Sequence, residues 1–475
     1  MSREAYDAIV VGAGPNGLAA AIVLARAGRS VLLREAASVP GGGVRSEALT
    51  LPGFTHDVCS AVHPLALTSP FFRSLPLADF GLEWIQPPVA LAHPFDDGSA
   101  VLLERSVDAT AEGLGTGGDD WRRLFAPFVR AWDELSPDVL APPLRPPRHP
   151  ILMARFGLKA LRSATGLAGT LGGDRARALF GGNAAHSFLP LETAGTAAFG
   201  LLLSATGHAV GWPIARGGSR RVAEAMAAYF RSLGGEIVTG APVAHLDELR
   251  PARLILLDVS PRQVVRMAAD RLPGRYVRSL DRYRYGAAAF KVDWALDGPV
   301  PWTAAECARA ATVHLGGTLE EIAASEAAPA RGDVSERPFV LFVQATLFDD
   351  SRAPAGKHTA WAYCHVPNGY TGDAYGAIEG QVERFAPGFR DRILARSVLT
   401  PADLQRRNAN LIGGDISGGM MDLRQVFARP ALRPTPYRMP LRGVYLCSAS
   451  TPPGGGVHGM CGYHAARAAL ADFLR

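Results

Sequence analysis

The residues best placed to do chemistry are glycines. Gly12-Ala-Gly14-Pro15-Asn16-Gly17 has the spacing G-x-G-x-x-G. In a turn that holds a pyrophosphate, Gly12 permits the tight bend, Gly14 lets the backbone approach the phosphates, and Gly17 lets a helix pack closely on a strand. Glu35 follows 18 residues after Gly17, about where a carboxylate accepts hydrogen bonds from an adenosine ribose. A second glycine turn, Gly41-Gly42-Gly43-Val44-Arg45-Ser46, comes next. Its glycines allow close passage beside a cofactor, and Arg45 can neutralise phosphate charge. The first motif fits FAD and NAD equally. The second turn, which a plain NAD fold does not need, points to FAD. Near the carboxyl end, Ser448 leads through Gly454-Gly455-Gly456-Val457-His458-Gly459 to Gly462 and Tyr463, another glycine-rich turn.

These turns need strands and helices to hold them. Tyr6 to Val11 reads as a buried strand, Leu18 to Ala27 as an Ala-rich helix stopped by Gly28, and Ser30 to Arg34 as a second strand. Gly443 to Ser448 predicts a strand and Ala465 to Leu474 a helix, so the last turn repeats the strand–turn–helix plan of the first. Between them, Ser219 to Leu233 reads as an amphipathic helix ended by Gly234-Gly235. Glu236 to Thr239, Ala241 to Leu246 and Leu254 to Val259 read as strands. Tyr285 to Leu296, Phe339 to Phe348 and Lys357 to Val366 predict an antiparallel sheet. Trp121 to Gly207 is largely helical, with an ordered bend over the Pro-rich run 141–150. After the bend, Ile151 to Thr165 reads as a helix with Arg155, Lys159 and Arg162 on one face and Leu152, Phe156 and Leu158 nearby. Its modest amphipathicity fits an ordinary surface helix better than one lying on a bilayer, though a peripheral membrane contact stays open.

Composition bounds the rest. A chain of 475 residues suggests two domains. Its balance of 48% hydrophobic and 20% charged residues is that of a soluble globular protein. The net charge of +5 is carried by scattered Arg without a basic block, which argues against nucleic acid. The five cysteines form no C-x-x-C pair, so a disulfide framework, a zinc site and a redox dithiol are unsupported. Reduced thiols in a cytoplasmic chain are expected, with no signal peptide before the first strand and no membrane span. No metal site is expected, because H-E-x-x-H and other ligand-like spacings are missing. The G-x-G-x-x-G spacing recurs at 113–118, in a mostly helical region, and at 454–459, in the C-terminal turn, and neither offers a separate place for NAD(P)H. The electron acceptor is therefore open among oxygen, a quinone or another carrier.

The glycine motif, Glu35, the G-G-x-x-R turn and the C-terminal turn together resemble the amine oxidase and phytoene desaturase superfamily of flavoproteins. Leu51 to Asp57, Ala178 to Ser187 and Trp212 to Ser219 look most like its phytoene dehydrogenase-related branch. That branch includes the pyridine nucleotide-disulfide oxidoreductase domain type. The resemblance implies an α/β fold: a discontinuous Rossmann-like FAD-binding domain with an inserted α+β substrate domain containing an antiparallel sheet. The FAD domain would comprise residues 1–83, 210–285 and 408–475. The substrate domain would comprise a mostly helical segment, 84–209, and a sheet segment, 286–407. The resemblance assigns FAD to Gly12, Gly14, Pro15, Asn16, Gly17, Glu35, Gly42, Gly43 and Arg45. Val243 would grip the adenine through its backbone. Ser448, Gly456, Val457 and His458 would pass beside the flavin. Catalytic candidates are His458, first, then His63 and Tyr463, since a His near the ring could move a proton. A lone His is nonetheless more often a hydrogen-bonded structural residue. His56, Asp57, His186 and Trp212 are candidates to line a substrate pocket. The implied reaction is dehydrogenation or saturation of a C–C or C–N bond in a lipophilic small molecule, by hydride transfer to the flavin. Two alternatives are a polyene isomerase without net redox and an FAD-less carrier of prenyl groups. The intact pyrophosphate turn speaks against the carrier.

Overall fold

The computed structural model describes residues 5–249 and 252–473. Two sheets organise it. The first has five parallel strands in the order Val444–Leu446, Leu254–Leu257, Ala8–Val11, Val31–Arg34, Glu236–Val238. All four residues of Ala8–Val11 and of Leu254–Leu257 are buried, as expected of strands covered on both faces. The helix Pro15–Arg26 follows the first strand at once, with Gly28 at φ +74° ending it. The helix Arg220–Ser232 packs beside it, and so does Met460–Phe473. Leu474, the expected end of the last helix, lies outside the described residues.

The second sheet has seven strands, in the order Ile393–Leu399, Ala288–Leu296, His358–Val366, Val340–Val343, Ala310–Leu315, Val89–Pro94, Ala100–Leu103. All neighbours are antiparallel except Ala310–Leu315 and Val89–Pro94, which run parallel. Sequence patterning reaches three of these strands and misses the other four. Val89–Pro94 and Ala310–Leu315 are buried at every position, so they lack the alternation that marks a half-buried strand. The region 84–209, expected to be mostly helical, thus also supplies two strands of this sheet. Its helices include Gly118–Arg130, Asp174–Ala185 and Ala197–Ala209.

Two expectations need correction. Ala241 to Leu246 is not a strand, although Glu236–Val238 before it is. Pro242 has no N–H to give to a ladder, and the segment runs as irregular chain. The helix after the Pro-rich bend ends at Ala160, so Arg162 lies beyond it. Its Phe156 points into the core at 3% exposure rather than outward.

Candidate active site

A cavity of about 810 Å³ lies between the carboxyl ends of the parallel strands and one face of the seven-stranded sheet. The ends of parallel strands are where ligands bind in open α/β sheets. At this end the wall is the first glycine turn. Gly12, Gly14, Pro15 and Asn16 all line it. Gly14 gives the helix Pro15–Arg26 no side-chain cap; Pro15 has no N–H and Gly17 gives its own to Asp258, so the Asn16 N–H and the positive dipole end remain for an anion. Gly17 does not reach the cavity. A Cβ there would lie 1.9 Å from the Gly12 carbonyl oxygen, and its N–H donates to Asp258 Oδ2 at 2.8 Å. Its role is the close packing of helix on turn.

Glu35 lines the cavity at the end of the second strand. It accepts from the Ala13 N–H at 2.7 Å and the Ala37 N–H at 2.8 Å, so its carboxylate is already oriented. Gly42, Gly43 and Arg45 line the wall opposite, where a Cβ on Gly42 would lie 3.0 Å from the Gly14 Cα. The two glycine turns therefore touch. Arg45 donates to the carbonyl oxygens of Gly42 at 3.2 Å and Arg407 at 2.5 Å. Val243 lines the cavity from the irregular segment.

Ser448, Gly456 and Val457 line the cavity from the C-terminal turn. A Cβ on Gly462 would lie 1.8 Å from the Asn16 carbonyl oxygen. The last helix thus crosses the first at the closest approach a backbone permits, near where both begin.

Asp258 is a site residue that sequence reasoning missed. It ends the strand Leu254–Leu257 directly beneath the glycine turn and lines the cavity. Burial pushes its carboxyl up to about 7; the Gly17 N–H opposes this shift, and the nearby Glu35 charge adds to it. The available signal was an acid closing an otherwise apolar strand.

The catalytic candidates divide. His63 lines the cavity, and its Nε2 is 2.9 Å from Ser219 Oγ. Burial holds it neutral, with its pKa lowered to about 4. His458 is a correction: it does not line the cavity. Its Nδ1 accepts from the Met460 N–H at 3.0 Å and its Nε2 meets the Gly454 carbonyl at 3.2 Å. Both nitrogens are spent holding the turn. Tyr463 is also turned away, packing on Phe71 and His464, with its hydroxyl accepting from Arg467.

His56 and Asp57 likewise do not line the cavity. Asp57 is buried in a polar cluster, where it accepts from Arg352 at 2.5 Å, Ser46 Oγ at 2.6 Å and the Ser219 N–H at 2.7 Å. Arg352 also bonds Asp349 at 2.8 Å. His56 sits 3.5 Å from Asp293, which pairs with Lys291. The cluster ties the Gly217-Gly218 turn to the paired strands Ser46–Glu47 and His56–Asp57 and to the segment 349–352.

His186 and Trp212 do line the cavity, at its other end. Their rings meet edge to face at 5.8 Å. This chamber is floored by the sheet. Thr312 pairs with Val343 and Val343 with Trp361, so the three form one row, and Leu341 pairs with Tyr363 in the next. All five line the cavity. Phe188 closes the wall at φ +58°, the one non-glycine residue with positive φ among the described residues. Such strain costs about 1–3 kcal/mol and persists only where the surroundings enforce it.

A cavity joining a phosphate-suited turn to a sheet-floored apolar chamber is the arrangement of a nucleotide-dependent redox enzyme. Residues 10–73 match the NAD(P)-binding Rossmann-like domain model. The chain is 25% identical to pyridine nucleotide-disulfide oxidoreductase domain-containing protein 2 of Rattus norvegicus, covering 99% of this chain and 94% of that one. It is 25% identical to the neurosporene-forming phytoene desaturase of Rhodobacter capsulatus, covering 96% and 92%. A solved putrescine oxidase variant shares the fold with a TM-score of 0.63 at 17% identity, covering 99% of each chain. The chain is similar over nearly its whole length to a phytoene desaturase and to a pyridine nucleotide-disulfide oxidoreductase domain-containing protein, shares its fold with a putrescine oxidase, and is an oxidoreductase.

Proposed function

We propose that this oxidoreductase binds FAD and dehydrogenates or saturates a C–C bond of a largely apolar small molecule. The observation that carries the reading is the single cavity, in which two touching glycine turns and an oriented Glu35 open onto the apolar chamber of Phe188, Trp212, Trp361 and Tyr363. The residues fit the cofactor. The uncapped helix start suits a pyrophosphate. Glu35 suits a ribose, the backbone around Val243 an adenine, and the turn from Ser448 to Val457 a ribityl chain and ring. FAD would supply the hydride acceptor or donor; the chain supplies placement and exclusion of water. His63 is the group we assign to proton movement, because it is the catalytic candidate that lines the cavity. The names of the desaturase relatives support a lipophilic substrate.

One spectrum tests the cofactor. Purified protein should carry, or take up, FAD with visible flavin absorbance, and protein unable to do so sinks the reading. Anaerobic bleaching by a lipophilic substrate then supports net redox, whereas product formation without bleaching supports the isomerase alternative.

The substrate class suggests delivery from lipid. Among the described residues, four of the nine exposed large hydrophobic side chains are Leu144 (59% exposed), Ile151 (78%), Leu158 (75%) and Leu161 (48%). Exposed Arg145, Arg148, Arg155 and Arg162 stand among them. We assign this face to contact with anionic lipid. No helix among the described residues is long and apolar enough to cross a membrane. The protein should float with anionic vesicles and not with neutral ones; failure to float with either removes the assignment.

A further inference from the structure

The chamber is apolar but not uniformly so. His186 Nε2 lies 3.1 Å from His314 Nε2. One ring donates and the other accepts, which leaves His186 Nδ1 without a hydrogen-bond partner among the described residues. His186 is only partly buried by protein and lines the chamber. Two further polar atoms of chamber residues are buried and unpartnered: Thr312 Oγ1 and Trp361 Nε1. They lie on one row of the sheet face, separated by Val343, and Thr312 is two residues from His314 on the same strand. Trp212 does not compete, since its Nε1 donates to the Leu203 carbonyl at 3.3 Å.

An unpaired buried polar atom gives up its hydrogen bonds to water without replacement and is costly. Their gathering at one end of a cavity implies a ligand group that satisfies them. Charge narrows which group. The charged side chains lining the cavity are Arg34, Glu35, Arg45, Asp258, Arg406 and Arg407, from the segments around the glycine turns and the end of the helix Pro401–Arg407; the Lys291 ammonium over the Trp361 ring does not line it and is paired with Asp293. None faces a carboxylate or an ammonium in the chamber. Burial keeps both rings neutral, with the His186 pKa lowered to about 3 and that of His314 well below the ordinary value. Tautomerism narrows it further. If His186 donates to His314, its Nδ1 is an acceptor; if it accepts, its Nδ1–H is a donor. A hydroxyl satisfies either state, a carbonyl only the second.

We infer that the chamber end formed by His186, Thr312 and Trp361 binds a hydroxyl group on an otherwise apolar substrate, so that the substrate is a lipophilic alcohol rather than a hydrocarbon, an acid or an amine. This rests on the reading of the chamber as the substrate site and deepens it. His314 is a positioning residue, because it sets the His186 ring through the Nε2 contact. His93 backs it, with the Nδ1 atoms of both rings facing the bare Cα of Gly182. The Nε2 of His93 is fixed on the Gly317 carbonyl at 2.7 Å.

Binding of 1-hexadecanol, hexadecane, hexadecanoate and hexadecylamine, read by tryptophan fluorescence and by calorimetry, tests this on protein with and without FAD. The alcohol should bind about tenfold tighter than each of the other three, the worth of roughly one good hydrogen bond. H186F should reduce the advantage over hexadecane to below about threefold. T312V, which preserves volume, should reduce it in the same direction and covers the case in which H186F does not fold. H186Q, which keeps a hydrogen-bonding group, should retain part of it. Equal binding of alcohol and hydrocarbon, tighter binding of the acid or the amine, or no binding of any of the four overturns the inference. A protein that prefers the alcohol but never takes up FAD would sink the cofactor reading and leave this one standing.

Discussion

The N–H of Gly17 donates to Asp258 Oδ2 at 2.8 Å, tying the start of the first helix to a strand 241 residues further along the chain. The bond places a buried carboxyl under the turn where two phosphates are proposed to sit, and that carboxyl titrates at about 7 rather than the ordinary 3.8. The sign of the linkage follows. Between those two values the folded state holds a proton that the unfolded chain releases, so Asp258 makes stability fall as pH rises from about 4 through 7. Added phosphate charge raises the carboxyl further. FAD binding near pH 7.5 should therefore take up a fraction of one proton, and affinity should weaken above that pH. Calorimetry in two buffers of different ionisation enthalpy measures the uptake, and D258N should abolish it.

Gly17 and Gly43 separate packing from ligand contact. G17A drives a Cβ into the Gly12 carbonyl, and overpacking against backbone should cost at least about 1–3 kcal/mol. G43A meets nothing within 4 Å. It should leave thermal unfolding unchanged and still reduce FAD uptake, because the added methyl enters the cavity. Differential scanning fluorimetry and bound-flavin content read the two effects.

His458 is expected to hold the turn rather than do chemistry. H458A removes both ring contacts, to Met460 N–H and the Gly454 carbonyl, at a cost of about 1–3 kcal/mol. Flavin content should drop while turnover per bound flavin stays within about twofold, well short of the 10²-fold or greater loss that follows removal of a general acid or base.

Asp57 should matter to stability far more than its distance from the cavity suggests. D57N leaves Arg352 buried with one fewer anion, and breaking a buried pair costs about 3–5 kcal/mol. The Asp57 carboxyl is held below its ordinary range: burial opposes this, but Arg352, Ser46 and the Ser219 N–H outweigh it. Its contribution is present at neutral pH and is lost as pH falls through the depressed value. Denaturant unfolding of D57N and the parent at pH 7 checks the size.

Much of the nucleotide end was legible in the sequence because it is local. The first strand, turn, helix and second strand occupy 27 consecutive residues, Ala8 to Arg34, and glycine spacing encodes what the turn must do. Glu35 is legible for the same reason. The chamber was not, because it depends on sheet register. Nothing near Thr312 in sequence says that it shares a row with Val343 and Trp361. The strand order also brings His93 and His314 side by side from positions 221 residues apart. The first place given to His458 among the catalytic candidates meets a similar point, since His63 lines the cavity and His458 does not. A His in a cofactor turn looks available until its two nitrogens are traced to backbone groups of that same turn.

The contact of Gly462 with the Asn16 carbonyl has a consequence for biosynthesis. At synthesis rates of about 5–20 residues per second, the last helix emerges roughly 20–90 s after the first. Until then the first helix lacks the partner against which its earliest turn is packed. The nascent chain must carry an open groove along that helix for nearly the whole of translation, lined by the alanines that later meet Ala465, Ala466 and Ala469. A ribosome stalled or a message truncated before codon 460 would release a chain with an apolar seam exposed, the kind of surface that chaperones and proteases read as unfinished.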